Sequence, residues 1–159
     1  MENRNASLLR ARAIADYQFG SNIGSFLFPE DVKITHSRKT GRLRHIYLNN
    51  TIVATFRPTD GFFSLTLFGA KRLAEVLTPP KMRVTVQIEV EKFIAEGGDL
   101  FAKHVTMADS ELRAGEEAIV VSNSGRVLAV GKALLTGEEM LGFKRGIAVK
   151  IRRGVDENQ

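Results

Sequence analysis

Cysteine and tryptophan are both absent from this 159-residue chain. Without cysteine there is no disulfide staple and no thiolate metal site, which fits a reducing compartment. No apolar run approaches the roughly 18 residues that a membrane-spanning helix needs, and the N-terminus lacks the hydrophobic core of a signal peptide, so a cytoplasmic location without a membrane partner is expected. The three histidines, His36, His45 and His104, lie far apart with no second ligand at helical spacing, and no metal is expected. There is no Walker-type loop, and Gly97-Gly98 closes a helix rather than opening one. Ser122 and Ser124 sit in a turn without a histidine nearby. The pairs Glu116-Glu117 and Glu138-Glu139 fall at a turn and at a helix N-terminus, where backbone N–H groups ordinarily attract acids. The expectation is a chain with no catalytic residues and no cofactor.

What the chain has in excess is positive charge, and only in its first half. Residues 1–80 carry 11 Lys and Arg against 6 Asp and Glu, whereas residues 81–159 carry 12 of each. The excess concentrates at Lys33, Arg38, Lys39, Arg42 and Arg44, a span without one acid. Such a patch attracts phosphates or an acidic surface; a solvated hairpin is the plain alternative.

The pattern of apolar residues divides the chain in two. Asn3 to Tyr17 reads as a helix with one basic side, followed by a loop ending in Phe26-Leu27-Phe28-Pro29, whose rings should pack under a sheet. Strands are expected over 32–36, 43–48, 51–56 and 62–67, with turns at Thr40-Gly41, Asn49-Asn50 and Asp60-Gly61. A second helix spans 70–77. Thr78-Pro79-Pro80 cannot continue it and marks the boundary. Beyond it come short strands over 84–88, 100–105, 118–121, 127–135 and 147–152, with a capping box at Thr136-Gly137-Glu138-Glu139. Gly131 within a strand suggests a bulge or the close approach of another backbone. The fold class is therefore α+β: an N-terminal antiparallel sheet with two helices over residues 1–79, a mostly β pseudobarrel over 80–153, and a C-terminal tail over 154–159.

The stretch from Glu89 to Val105 carries the strongest local signal. Val90, Phe93 and Ile94 at helical spacing would bury one face, Gly97-Gly98 would stop the helix and leave backbone N–H groups accessible, and Leu100 to Val105 would alternate as a half-buried strand. An ordinary helix cap is the plainer reading of the two glycines.

The order of these motifs is informative. Gly97-Gly98, Leu100-Phe101-Ala102-Lys103-His104-Val105, Leu112-Arg113-Ala114-Gly115-Glu116, Leu128-Ala129-Val130-Gly131-Lys132-Ala133 and Gly146-Ile147-Ala148-Val149-Lys150 together resemble a PUA domain, an RNA-binding module. Ala15-Asp16-Tyr17-Gln18-Phe19-Gly20, Leu27-Phe28-Pro29-Glu30-Asp31 and Asp60-Gly61-Phe62-Phe63-Ser64-Leu65 resemble the domain that precedes PUA near the C-terminal end of archaeal archaeosine tRNA-guanine transglycosylases. The resemblance implies an archaeal source and RNA, in particular tRNA, as partner. That family's catalytic barrel and cysteine-bound zinc have no counterpart here.

Carried onto this chain, the resemblance implies an RNA surface made of Gly97, Gly98, Phe101, Ala102, Lys103, Lys150, Arg152 and Arg153. The glycines would let the RNA backbone approach, Phe101 and Ala102 would form an apolar wall, and the cations would meet phosphates. Core packing is the competing reading of Phe101. The patch of Lys33, Arg38, Lys39, Arg42 and Arg44 would track a duplex. Three functions follow: a stand-alone protein binding a tRNA acceptor stem or 3′ end in tRNA modification; the tRNA-docking subunit of a split transglycosylase with a separate catalytic chain; and a module that meets an acidic protein.

Overall fold

In the computed structural model, residues 3–157 are described, and they form two units that divide after Leu73. The first unit opens with helix α1 (Arg4–Phe19), whose N-cap Asn3 accepts a hydrogen bond from the Ala6 N–H at 2.8 Å. Ser7, Leu8, Ala11, Ala15 and Phe19 share its buried face. The loop expected after it contains a short helix, α2 (Ile23–Leu27), because the Asp16 carboxylate accepts the Gly24 N–H at 2.6 Å and starts a new turn. Strands β1 (Lys33–His36), β2 (Leu43–Leu48), β3 (Thr51–Phe56) and β4 (Phe63–Leu65) pair antiparallel in that order. Asn49 and Asn50, at φ 52° and 65°, form the tight turn between β2 and β3 that their tolerance of positive φ allows.

Helix α3 (Leu67–Val76) begins three residues earlier than its apolar pattern suggests. The Thr66 hydroxyl accepts the Gly69 N–H at 3.1 Å and caps it, which takes Leu67 out of the strand. Phe28 and Phe63 meet edge to face at 5.1 Å in the core, both fully buried, and each contributes about 2–3 kcal/mol of burial. Phe26 instead receives the Arg72 guanidinium 4.6 Å from its ring centre.

The second unit is a six-stranded sheet of β5 (Arg83–Val86), β6 (Leu100–Phe101), β7 (Val105–Ala108), β8 (Glu117–Val121), β9 (Val127–Ala133) and β10 (Ile147–Gly154), ordered β6-β10-β9-β8-β5-β7. Its two edges, β6 and β7, are joined by a single 3-10 turn, Ala102–His104. So short a link forces the sheet to curl until its edges nearly meet, giving the pseudobarrel. Helix α4 (Glu91–Ala95) and helix α5 (Gly137–Gly142) accompany it. Val84, Val86, Ile94, Leu100, Leu128 and Val149 are among the residues that fill its core.

Three local readings need correction. Ile88 leaves the β5 alternation and begins a 3-10 turn, Ile88–Val90, so it is exposed. Leu100 to Val105 is not one strand, since Ala102 turns the chain and donates its N–H to the Gly146 carbonyl at 2.9 Å. Residues 154–157 are not a tail: Val155 donates to the Leu128 carbonyl and Asp156 to the Ala95 carbonyl, at 2.9 and 2.8 Å. Gly154 lies where a Cβ would come within 2.3 Å of the Ala95 oxygen, which is why a glycine ends β10. Gly131 answers the same demand, its missing Cβ falling 2.2 Å from the Lys150 carbonyl oxygen. The Arg83 guanidinium donates to the Ala74, Leu77 and Lys81 carbonyls at 2.7–3.1 Å, satisfying the C-terminal carbonyls of α3.

Candidate functional site

The two glycines after α4 form a Schellman cap. Gly97, at φ 100°, donates its N–H to the Ile94 carbonyl, and Gly98 donates to the Phe93 carbonyl, both at 2.9 Å. Their N–H groups are therefore consumed within the cap and are not free for a partner. Nor is the bend bare. A Cβ on Gly98 would sit 2.3 Å from the Phe93 ring, and one on Gly97 would sit 2.6 Å from a Glu157 carboxylate oxygen. A phosphate approaching Gly97 would meet that carboxylate.

Displacing Phe93 from the core to the cap has a consequence. Helix α4 is a single turn and a half, too short to bury Val90, Phe93 and Ile94 together; Ile94 goes inside, and Phe93 is 55% exposed. Phe101, at 40% exposure, is also on the surface rather than in the core. Between them lies a groove of about 330 Å³ lined by Val90, Phe93, Ile94, Asp99, Phe101, Lys103 and His104. Ala102 is buried and serves the core instead of the groove wall. Lys103 is exposed at the groove. His104 bonds through Nδ1 to the Gln87 carboxamide oxygen at 3.1 Å, which places a proton on Nδ1 and orients the ring in the groove.

The cations of β10 are each held by an acid. Lys150 reaches Asp99 at 3.0 Å, and the other oxygen of Asp99 accepts the Ile151 N–H at 2.9 Å. Arg152 pairs with Glu117, whose side chain has no solvent exposure. Arg153 pairs with Glu157 at 3.0 Å, and Glu157 also accepts the Gly154 N–H. Of the three, Lys150 is the most exposed and neutralises the one carboxylate that borders the groove. Arg152 chiefly answers a buried charge.

In the first unit, Lys33, Arg38, Lys39, Arg42 and Arg44 are all exposed along β1, the β1–β2 turn and β2. This unit's surface carries the ion pairs Arg12–Glu30 and Arg57–Asp60, and among the described residues none of the five patch cations is ion-paired. Among the described residues no cluster of three or more His, Cys, Asp or Glu side chains is placed to hold a metal ion, and no helix is long and apolar enough to cross a membrane.

Sequence reasoning missed Phe93 and His104 as groove residues. The signal was present as a surplus: four apolar residues between Ile88 and Ile94, more than one short turn of helix can hide.

A strongly curled sheet with a one-turn helix and a groove beside its glycine cap defines a PUA-domain protein, and residues 82–155 match the PUA domain family. Residues 9–80 match the patch-forming domain C2 of tRNA-guanine transglycosylase, so the chain carries both domains and resembles the C-terminal part of the archaeal transglycosylases. It is 43% identical over 145 residues to the tRNA-guanine(15) transglycosylase of Methanothermobacter thermautotrophicus and 44% identical over 156 residues to that of Pyrococcus furiosus. These alignments cover 91% and 98% of this chain but only 22% and 26% of those relatives. Among solved structures, a hypothetical protein from Pyrococcus horikoshii matches with a TM-score of 0.76 at 24% identity, over 98% of this chain and 94% of that one. A conserved PUA domain protein from Thermoplasma acidophilum matches with a TM-score of 0.66 at 21% identity, over 99% and 93%. Both show the fold.

Proposed function

We propose that this chain binds RNA, and tRNA in particular, by taking unpaired nucleotides of an acceptor end into the groove between Phe93 and Phe101. The observation that supports it is a pair of exposed phenylalanines with Lys103 and His104 between them, in a domain of the PUA family. Aromatic faces stack bases regardless of sequence, and Lys103 supplies the charge for the adjoining phosphate. Gly98 acts by leaving room for the Phe93 ring, and Gly97 by its positive φ. Lys150 stands at the groove edge, Arg153 and Arg152 further along β10, and the cations from Lys33 to Arg44 add duplex contacts.

Fluorescence anisotropy with a tRNA transcript tests this. Phe101→Ala and Phe93→Ala should each weaken binding about 5- to 100-fold, the range of losing one stacked base, with a smaller drop in thermal midpoint for Phe93, 55% exposed, than for Phe101, 40% exposed. Trimming the single-stranded 3′ end of the transcript should cost the wild type a similar factor and the variants nothing further. Unchanged affinity in both variants would overturn the groove as the site.

A second reading rests on coverage. The chain spans about a quarter of the relatives it matches, and its two domains match that part of them, so we infer that it serves as a tRNA-docking part for a catalytic domain. Copurification of a chain carrying that domain in a stable complex, and stimulation of its base exchange, would distinguish that role from a stand-alone one.

A further inference from the structure

The four-stranded sheet of the first unit has two unlike faces. Ile34, Ile46, Ala54 and Leu65 stand opposite one another across the four strands, the last three of them buried. His36 lies on that same side and bonds to Ser7 of α1 at 2.9 Å, so this is the face the helix covers. One residue along, the alternation turns His45, Thr55 and Ser64 to the other face, again directly opposite one another. Thr35 joins them, its hydroxyl donating to the His45 carbonyl at 3.4 Å and accepting the His45 N–H at 3.2 Å. Tyr47 stands edge-on to the His45 ring at 6.2 Å, opposite Lys33.

The hydrogen bonds on this face fix the state of the imidazole. Arg44 donates from Nε to His45 Nε2 at 3.3 Å, so Nε2 carries the lone pair and the proton resides on Nδ1, which donates to the Thr55 hydroxyl at 3.1 Å. The ring is neutral with a guanidinium at its acceptor. Burial, and then the Arg44 charge, hold the His45 pKa below its ordinary value.

We propose that this half-buried polar sheet face, with Lys33 and Arg44 exposed beside it, is a second RNA surface, separate from the groove beside α4, in which a backbone phosphate bridges Arg44 and His45 and the imidazole takes up a proton as it binds. The proposal rests on the RNA-binding reading above. The hydroxyls of Thr35, Thr55 and Tyr47 suit phosphate and 2′-hydroxyl oxygens, and Lys33 adds charge. The charged and titratable groups facing His45 are Lys33 from β1, Arg44 and Tyr47 from β2, and, at the far end of the row, Arg57, which bonds the Ser64 hydroxyl at 3.3 Å and holds Asp60 at 3.0 Å. Asp60 is thereby neutralised, so a phosphate would meet a positive face. An anion between guanidinium and imidazole removes the repulsion that disfavours the charged ring, hence its pKa rises on binding, and binding tightens as pH falls.

The test uses the intact chain with a short blunt-ended RNA duplex, which offers no unpaired end to the groove. The His45 ring proton is titrated by NMR with and without duplex, and affinity is measured between about pH 8 and pH 6. The expected results are a rise in the His45 pKa by about one unit and an affinity gain of roughly three- to tenfold toward low pH. His45→Gln should remove the pH dependence, including against any contribution from His104, and Thr55→Val gives a second variant that leaves the imidazole in place. If duplex binds but the His45 titration is unmoved, or if His45→Gln keeps the pH dependence, this surface is overturned while the groove stands. If the duplex fails to bind at any pH and a transcript with a free 3′ end still binds, the sheet face again falls alone; if neither RNA binds, both readings fall.

Discussion

A methyl group at position 98 and one at position 97 ask different questions of the same cap. At Gly98 the atoms nearest the added carbon belong to the Phe93 ring, a half-exposed side chain that can swing away. Gly98→Ala should thus leave stability within about 0.5 kcal/mol, as for ordinary surface changes, while lowering RNA affinity several-fold by moving one wall of the groove. At Gly97 the backbone itself objects, since φ 100° is a conformation that residues with a Cβ avoid. Gly97→Ala should cost about 1–2 kcal/mol in a urea titration. Both glycines were legible in the sequence as a helix stop. Their N–H groups looked free only because the sequence does not say which carbonyls curl back to meet them.

The cations of β10 show the same limit. Lys150, Arg152 and Arg153 read as phosphate contacts, but Asp99 and Glu117 reach the first two from elsewhere in the chain, and Glu157, four residues on, holds the third. Glu117 is wholly buried, so removing Arg152 takes a charged partner from a buried carboxylate. Arg152→Ala should destabilise the fold by on the order of 2–3 kcal/mol, somewhat less than for a fully enclosed pair because the Arg152 side chain is 36% exposed. Partial recovery in the double variant Arg152→Ala, Glu117→Gln would confirm that the cost is the buried carboxylate's lost ion pair. A loss of RNA binding without loss of stability would instead make Arg152 a contact residue.

At the scale of the element, local chemistry was legible where its cause was local. Thr136 accepts the Glu139 N–H at 3.1 Å and Glu139 reaches back to the Thr136 N–H at 2.9 Å, the reciprocal box that the four-residue spacing implies. Thr136→Ala should cost about 1 kcal/mol, read as a lower denaturation midpoint at unchanged slope. The Asn49-Asn50 turn was equally plain. What was hidden were elements whose boundaries depend on distant partners. The 3-10 turn at Ala102–His104 exists because the Ala102 N–H bonds Gly146, remote in sequence, and it is this turn that brings Lys103 and His104 to the groove. Helix α2 depends on the Asp16 carboxylate in the same way.

For the molecule as a whole, the sequence revealed the two kinds of sheet and the uneven charge, because both are properties of composition and period. It did not reveal which cations are already satisfied. The three cations of β10 are held in ion pairs and the second half has as many acids as bases, whereas Lys33, Arg38, Lys39, Arg42 and Arg44 form a cluster without an acid, exposed and not ion-paired among the described residues. Salt dependence should therefore be carried mainly by the first unit. With a tRNA transcript that keeps its single-stranded 3′ end, log K should fall against log salt with a slope of about −3 to −6, each neutralised phosphate contributing about −0.9. Replacing Arg38, Lys39 and Arg42 together by alanine should reduce the steepness by about 2–3, whereas Phe101→Ala should weaken binding at every salt concentration and leave the slope unchanged. The two effects are separable because stacking releases no counterions. A triple variant whose slope matches the wild type would show that the exposed hairpin charge never meets the RNA backbone.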